Sequence, residues 1–194
     1  MSRFSFASLK SIPSLKSLGS VACASAASLL LLANVAHAQT AQPAASADTK
    51  LHAADEAFVA DATKAVSTQR DAARLATSRS TDRDVKAFAE KVAADNTKLT
   101  ASLRAASPRG VDVPRDDPDT ATIDSIKDLR GDAFDKLYIQ QVALADEQKA
   151  LSAFQAEIAS GRNEQLKDAA RKALPTIQAH YAEAQELAKR KHLQ

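Results

Sequence analysis

From Ala53 onward, apolar residues recur at intervals of three and four with polar residues between them, the period of an amphipathic helix. The first such stretch runs from about Ala54 to Arg79, with Phe58, Ala62, Ala65, Ala72 and Ala76 inward. The second, to about Ala106, buries Val85, Phe88 or Ala89, Val92, Leu99 and Leu103. The third spans about Asp132 to Ser160 with Phe134, Leu137, Leu144, Leu151, Phe154 and Ile158, and the fourth carries Leu166, Ala170, Ala173, Ile177, Ala184 and Leu187. All four are rich in Ala, Leu, Glu, Lys, Gln and Arg, the residues that lose least on entering a helix. Ser80-Thr81-Asp82 offers capping oxygens between the first two, and Asn163 can cap the fourth after Gly161 stops the third. Pro175, inside the fourth helix, removes one backbone hydrogen bond and is expected to kink it.

Short joints make the first and last pairs antiparallel hairpins. The middle connection is different. "SPRGVDVPRDDPD", Ser107 to Asp119, holds three Pro and a Gly and cannot be helical; a short helix from about Thr120 to Leu129 follows, with Gly131 ending it. Loop and helix together can cover the roughly 37 Å of a 25-residue helix. The expectation is an all-α, ferritin-like four-helix bundle with a long crossover between helices two and three.

Each apolar stripe is interrupted near its middle by a polar residue: Gln69, Asn96, Glu147 and His180. The third stripe also admits Gln140. In antiparallel packing the four mid-helix residues should meet within about one turn of a common level. A buried carboxylate needs a partner, and the imidazole of His180 can share a proton with Glu147, with Gln69 and Asn96 completing the set. Such a buried polar layer has three readings: it fixes helix register, it lines a metal or small-ligand pocket, or its members reach outward to water.

As a metal site the set is thin. Di-iron bundles use a Glu from each of two helices and a Glu-x-x-His from each of the other two, and this chain has no Glu-x-x-His; "HYAE", His180 to Glu183, reverses the order. No Ser-His-Asp order, Gly-rich phosphate loop or paired-His motif occurs. "RDDPD", Arg115 to Asp119, lacks the Gly and terminal Glu of a calcium-binding loop and reads as a solvated turn. Neither catalysis, a resident metal nor another cofactor is expected.

The first 52 residues follow another logic. Arg3, Lys10 and Lys16 precede the apolar run "VACASAASLLLLANVAHA", which ends in Ala36-His37-Ala38, so residues 1–38 read as a secretory signal cleaved after Ala38. The run is too short to be trusted as a membrane span. Cys23 sits too early for a good lipoprotein site and leaves with the signal, so no disulfide or thiol nucleophile remains. Removing the signal also removes three of the 26 Lys and Arg and none of the 24 Asp and Glu, so the formal charge falls from +2 to −1. A chain of that charge without a basic cluster has no electrostatic footprint for nucleic acid. Residues 39–52, "QTAQPAASADTKLH", carry too little apolar surface to offset ordering entropy and are expected to form a disordered leader, with His52 solvated; residues 53–194 form the bundle.

Four segments, "FVADATKAVSTQRDAARLA", "DVKAFAEKVAADNTKL", "FDKLYIQQVALADEQKAL" and "ALPTIQAHYAEAQEL", resemble in order the blocks of the secreted bacterial family called domain of unknown function 4142. The resemblance covers about Ala54 to Leu187. It implies a ferritin-like fold and a periplasmic or outer-membrane setting, without an established activity. It also implies a His after each Asp matching Asp95 and Asp146; here those positions hold Asn96 and Glu147, and His180 alone matches. The functional expectation is therefore an exported, non-enzymatic envelope protein in an interaction or stress-tolerance role, with an unidentified protein partner and no membrane span after cleavage. The alternative is a metal- or small-ligand-binding bundle using the Glu/His layer.

The exported chain should begin at Gln39, because Ala36-x-Ala38 is the best-placed small pair after the apolar core. Intact-mass measurement of the exported protein checks this, and retention of Met1 or a lipid on Cys23 would refute it.

Overall fold

The structure, a computed structural model, describes residues 50–114 and 116–193. The segments expected as signal peptide and leader, up to residue 49 and including Cys23, and Arg115 of the "RDDPD" turn lie outside the described residues. Helix α1, Ala53–Arg79, starts at His52, whose ring nitrogen accepts from the Ala54 N–H, so this residue caps a helix as well as facing solvent. Leu51, placed by the sequence in the leader, is buried against the bundle. Helix α2, Arg83–Ala106, begins where the Asp82 carboxylate accepts from the Asp84 and Val85 N–H groups. Its inward stripe is the expected one, from Val85 to Leu103. Each large apolar side chain so buried contributes about 1.5–3 kcal/mol.

Beyond α2 the chain forms the short α3, Thr120–Ile126, and then α4, Gly131–Leu137. Gly131 opens α4 in a left-handed conformation, φ 54°, which glycine adopts without a side-chain clash; α3 has already stopped at Ile126, short of Leu129. A π-helical stretch, Tyr138–Asp146, continues α4 without interruption into α5, Glu147–Ser160. Helix α6, Glu164–Arg190, starts at Asn163, whose side chain accepts from the Leu166 N–H, and it runs through the exposed Pro175.

The π stretch corrects the register expected for the third helix. A π turn takes more residues than the 3.6 of an α turn, so each residue advances the face by a smaller angle. Tyr138, Ile139, Val142 and Ala143 therefore fill the core, while Leu137, Gln140 and Leu144 lie half-buried at its margin, as do Leu151 and Ile158 beyond the stretch. On α1, Ala65 is likewise only half-buried. The α6 stripe is buried at every position expected of it.

In cross-section α1 packs beside α2 and α5, and α6 packs beside α2 and the π–α5 segment. The connection between α2 and α4 runs the length of this bundle. Val113 packs at one end with Phe58 and Leu103, while Ile126 packs at the other with Val85 and Phe134. Between those ends the chain crosses the outer face of α1. There Asp116 pairs with Arg70, and the Asp119 N–H donates to the Thr68 hydroxyl at 2.7 Å. This explains why five successive residues, Val66 to Arg70, are buried on a helix that would otherwise show water one face. No helix among the described residues is long and apolar enough to cross a membrane.

Labels on Ala106 and Asp132 should be separated by about 35 Å, the length of α2 at 1.5 Å per residue. Pulsed electron–electron spin resonance would measure this distance; a value near 10 Å would mean a simple hairpin between α2 and α4.

Candidate functional site: a buried polar layer

The core divides into two apolar clusters, and the four polar residues occupy the boundary. On α1, Gln69 lies between Val66 of one cluster and Ala72 of the other; on α2, Asn96 lies between Leu99 and Val92. Glu147 stands between Ala150 and Ala143, and His180 between Ile177 and Ala184. All four side chains are buried, His180 with no exposed surface. They therefore share the single level that their mid-helix positions implied.

They form two pairs, one within each hairpin. The Asn96 side-chain amide donates to Gln69 Oε1 at 3.0 Å, joining α2 to α1. Across the bundle, His180 Nδ1 lies 3.4 Å from Glu147 Oε1, joining α6 to α5. At that separation the two atoms form an ion-pair contact without the alignment of a full hydrogen bond. The second ring nitrogen, Nε2, is 3.2 Å from Asp95 Oδ2 on α2, and this contact ties one hairpin to the other.

Asp95 was missed in the reading of inward positions because it sits one residue off the α2 stripe and is only partly covered. The recurrent Asp in the family-like block was the available signal. Glu147 itself occupies the junction where the π stretch returns to α-helix, its N–H reaching the carbonyls of Val142 and Leu144.

The imidazole is held between two carboxylates, so both ring nitrogens can donate when it is charged. Burial by itself would lower the pKa of His180; Glu147 and then Asp95 outweigh it and the net shift is upward. Burial raises Glu147, with His180 opposing. On the outer side Asp95 is lowered by its bond to Lys98, then by His180, against the effect of its own burial. Tyr138, stacked on Phe134 with ring centroids 5.7 Å apart, is raised by burial and further by the Glu147 charge. The two carboxylates thus favour the charged imidazole, while burial favours the neutral form of Glu147. Three of the layer's buried polar atoms lack a hydrogen bond: Gln69 Nε2, and the facing pair Glu147 Oε1 and His180 Nδ1, which have only their mutual ion-pair contact.

The same geometry limits what the layer can hold. Asp95 and Glu147 approach opposite edges of the ring, so their oxygens and a ring nitrogen cannot converge on one ion. Gln69 and Asn96 supply neutral amides where a di-iron bundle requires carboxylates and a second His. Among the described residues no group of three or more His, Cys, Asp or Glu is placed to hold a metal ion. A surface cleft of about 260 Å³, lined by Lys91, Asp95, Pro175, Thr176, Ala179 and His180, gives the outer edge of the layer a path to solvent.

A family model described as Domain of unknown function (DUF4142) matches residues 40–187. No curated protein and no solved structure matches the chain.

Truncation by His180→Ala should destabilise the fold by roughly 3–5 kcal/mol above neutral pH, because Glu147 is left buried without its partner. The loss should shrink in acid, where the carboxyl can enter the core neutral. Replacing Glu147 and His180 together by well-packed apolar residues should cost far less than the single truncation. Urea denaturation of the two variants at two pH values checks all three statements.

Proposed function

The chain belongs to the family of the Domain of unknown function (DUF4142), and we propose that it is an exported, non-enzymatic helical-bundle protein of the bacterial cell envelope. In this reading it is released to the periplasm by cleavage after Ala38 and acts there through protein interaction or in stress tolerance. The polar layer is the device that holds its two hairpins in one register. The observation that carries the structural role is the placement of His180 between Asp95 and Glu147, one on each ring nitrogen. Ionisable groups that saturate one another across three helices are arranged for mutual satisfaction, whereas a binding site presents several donors to one point.

Register specification is the best-attested use of buried polar groups. The layer suits it because a shift of one hairpin against the other by one turn would carry His180 away from Asp95 and set its Nε2 against aliphatic side chains. A buried polar group left without its partner is costly. The alternative, a small-ligand or metal role, draws its support from the cleft beside Asp95 and His180.

Elemental analysis and thermal denaturation of the purified mature protein distinguish the two. The expected result is no stoichiometric metal and no rise in melting temperature with zinc, iron or manganese, because an ion that binds only the folded state must stabilise it. Stoichiometric metal that disappears in His180→Ala would overturn the structural reading.

A further inference from the structure

Two further acids are buried on the third helix, and neither belongs to the polar layer. Asp135 lies on α4 at one end of the bundle and Glu157 on the last turn of α5 at the other, and both are largely shielded from water. Asp135 Oδ1 and both carboxylate oxygens of Glu157 have no hydrogen-bond partner. A buried carboxylate without donors is costly as an anion and inexpensive as a neutral acid.

What faces each of them is a second carboxylate already committed to a turn. Beside Glu157 stands Asp55 of α1, itself buried, whose Oδ1 accepts from the Arg162 and Asn163 N–H groups and so pins the α5–α6 turn. Near Asp135 lies Asp82, whose Oδ1 accepts from the Asp84 and Val85 N–H groups at the α1–α2 turn and whose Oδ2 is ion-paired with Lys191. Each site also includes one ammonium, Lys167 of α6 near Glu157 and Lys191 beyond α6 near Asp135. Ser80 and Asp132 complete the surroundings of Asp135. The packing around Glu157 is closed: a Cβ added at Gly161 would fall 2.3 Å from Glu157 Oε1, so glycine is the residue that leaves this carboxyl its place.

At the α5–α6 turn the two hairpins therefore meet through a pair of buried acids, whereas at the α1–α2 turn the Asp82–Lys191 ion pair already bridges them. We propose that Glu157 is a proton-operated latch: protonated, it clamps the two hairpins together at the α5–α6 end of the bundle, and ionised, it lets that end loosen. Between Glu157 and Asp55 a proton is the bridge that two facing carboxylates can use. When it leaves, two like charges face each other in a region of low dielectric.

Both buried acids are raised, and Glu157 in the direction its contact with Asp55 requires. Glu157 is pushed up to about 7, first by burial and then by Asp55, with Lys167 opposing. Asp135 is raised by burial first, then by Asp82 and Asp132, with Ser80 and Lys191 opposing. A carboxyl raised in the folded state contributes stability that is fully present below its unfolded value and lost as pH rises through its folded value. For Glu157 that window runs from 4.5 to about 7. Within it, each proton retained by the fold changes the folding constant about tenfold per pH unit.

Carbon-13 NMR titration of the wild-type carboxyls, combined with hydrogen exchange at the two turns, tests this. Glu157 should titrate above the ordinary carboxylate range. Between pH 5 and pH 8, exchange at residues 161–163 should accelerate by at least tenfold more than intrinsic base catalysis accounts for, and exchange at residues 80–82, held by the Asp82–Lys191 pair, should not. The variant Glu157→Gln, which imitates the protonated state, should lose that excess. Ordinary titration of Glu157, or an equal excess in the variant, would overturn the proposal. Should the variant fail to fold, the wild-type titration decides alone.

Discussion

An imidazole shut away from water must find a partner for each ring nitrogen, and in this bundle the partners come from two other helices. His180 belongs to α6, Glu147 to α5 and Asp95 to α2, so the satisfaction of one side chain requires three helices to stand at one level. Apolar clusters above and below tolerate some sliding, since Leu, Ala and Val can exchange neighbours at modest cost. The layer resists sliding, because a one-turn shift of one hairpin against the other separates His180 from Asp95 and leaves a buried ring nitrogen without its partner. This asymmetry makes the weaker-looking part of the core the part that defines the arrangement.

The crossover makes the corresponding contribution from outside. A helix in a four-helix bundle normally keeps one face in water, and α1 does so except where the α2–α4 connection passes over it. There Arg70 and Thr68 hold the passing chain through Asp116 and the Asp119 N–H, so the covered backbone is anchored by polar contacts as well as by burial. The covered level, Val66 to Arg70, contains Gln69. The connection that sets the topology thus clamps α1 at the height of the polar layer.

The third helix joins these features. Its π stretch turns Tyr138, Ile139, Val142 and Ala143 into the core, and Glu147, where the α-helix resumes, faces His180. Its two ends carry Asp135 and Glu157 against the aspartates that organise the tight turns. One helix therefore brings three acids inside, at the middle and near each end, each in the company of groups from other elements. Charge inside this protein is distributed along one element and managed by partners on the rest.

Much of this architecture follows from the sequence, since a period of 3.6 in apolar residues decides which face of a helix leaves water. The all-helical bundle, the stripes of α2 and α6, the capping at Asp82 and Asn163, and the inward placement of Gln69, Asn96, Glu147 and His180 all follow from that period. The length of the Pro-rich connection also determines that α2 and α4 start from the same end. Tertiary structure decided the pairing. That Gln69 bonds Asn96 within one hairpin, that Asp95 takes the second nitrogen of His180, and that Asp55 meets Glu157 are facts of approach between helices, and periodicity within one helix does not encode the distance to another. The π stretch is also a tertiary outcome: an α-helical register would have sent Leu137 and Leu144 inward, and the larger gain from burying Phe134, Tyr138 and Ile139 together prevailed.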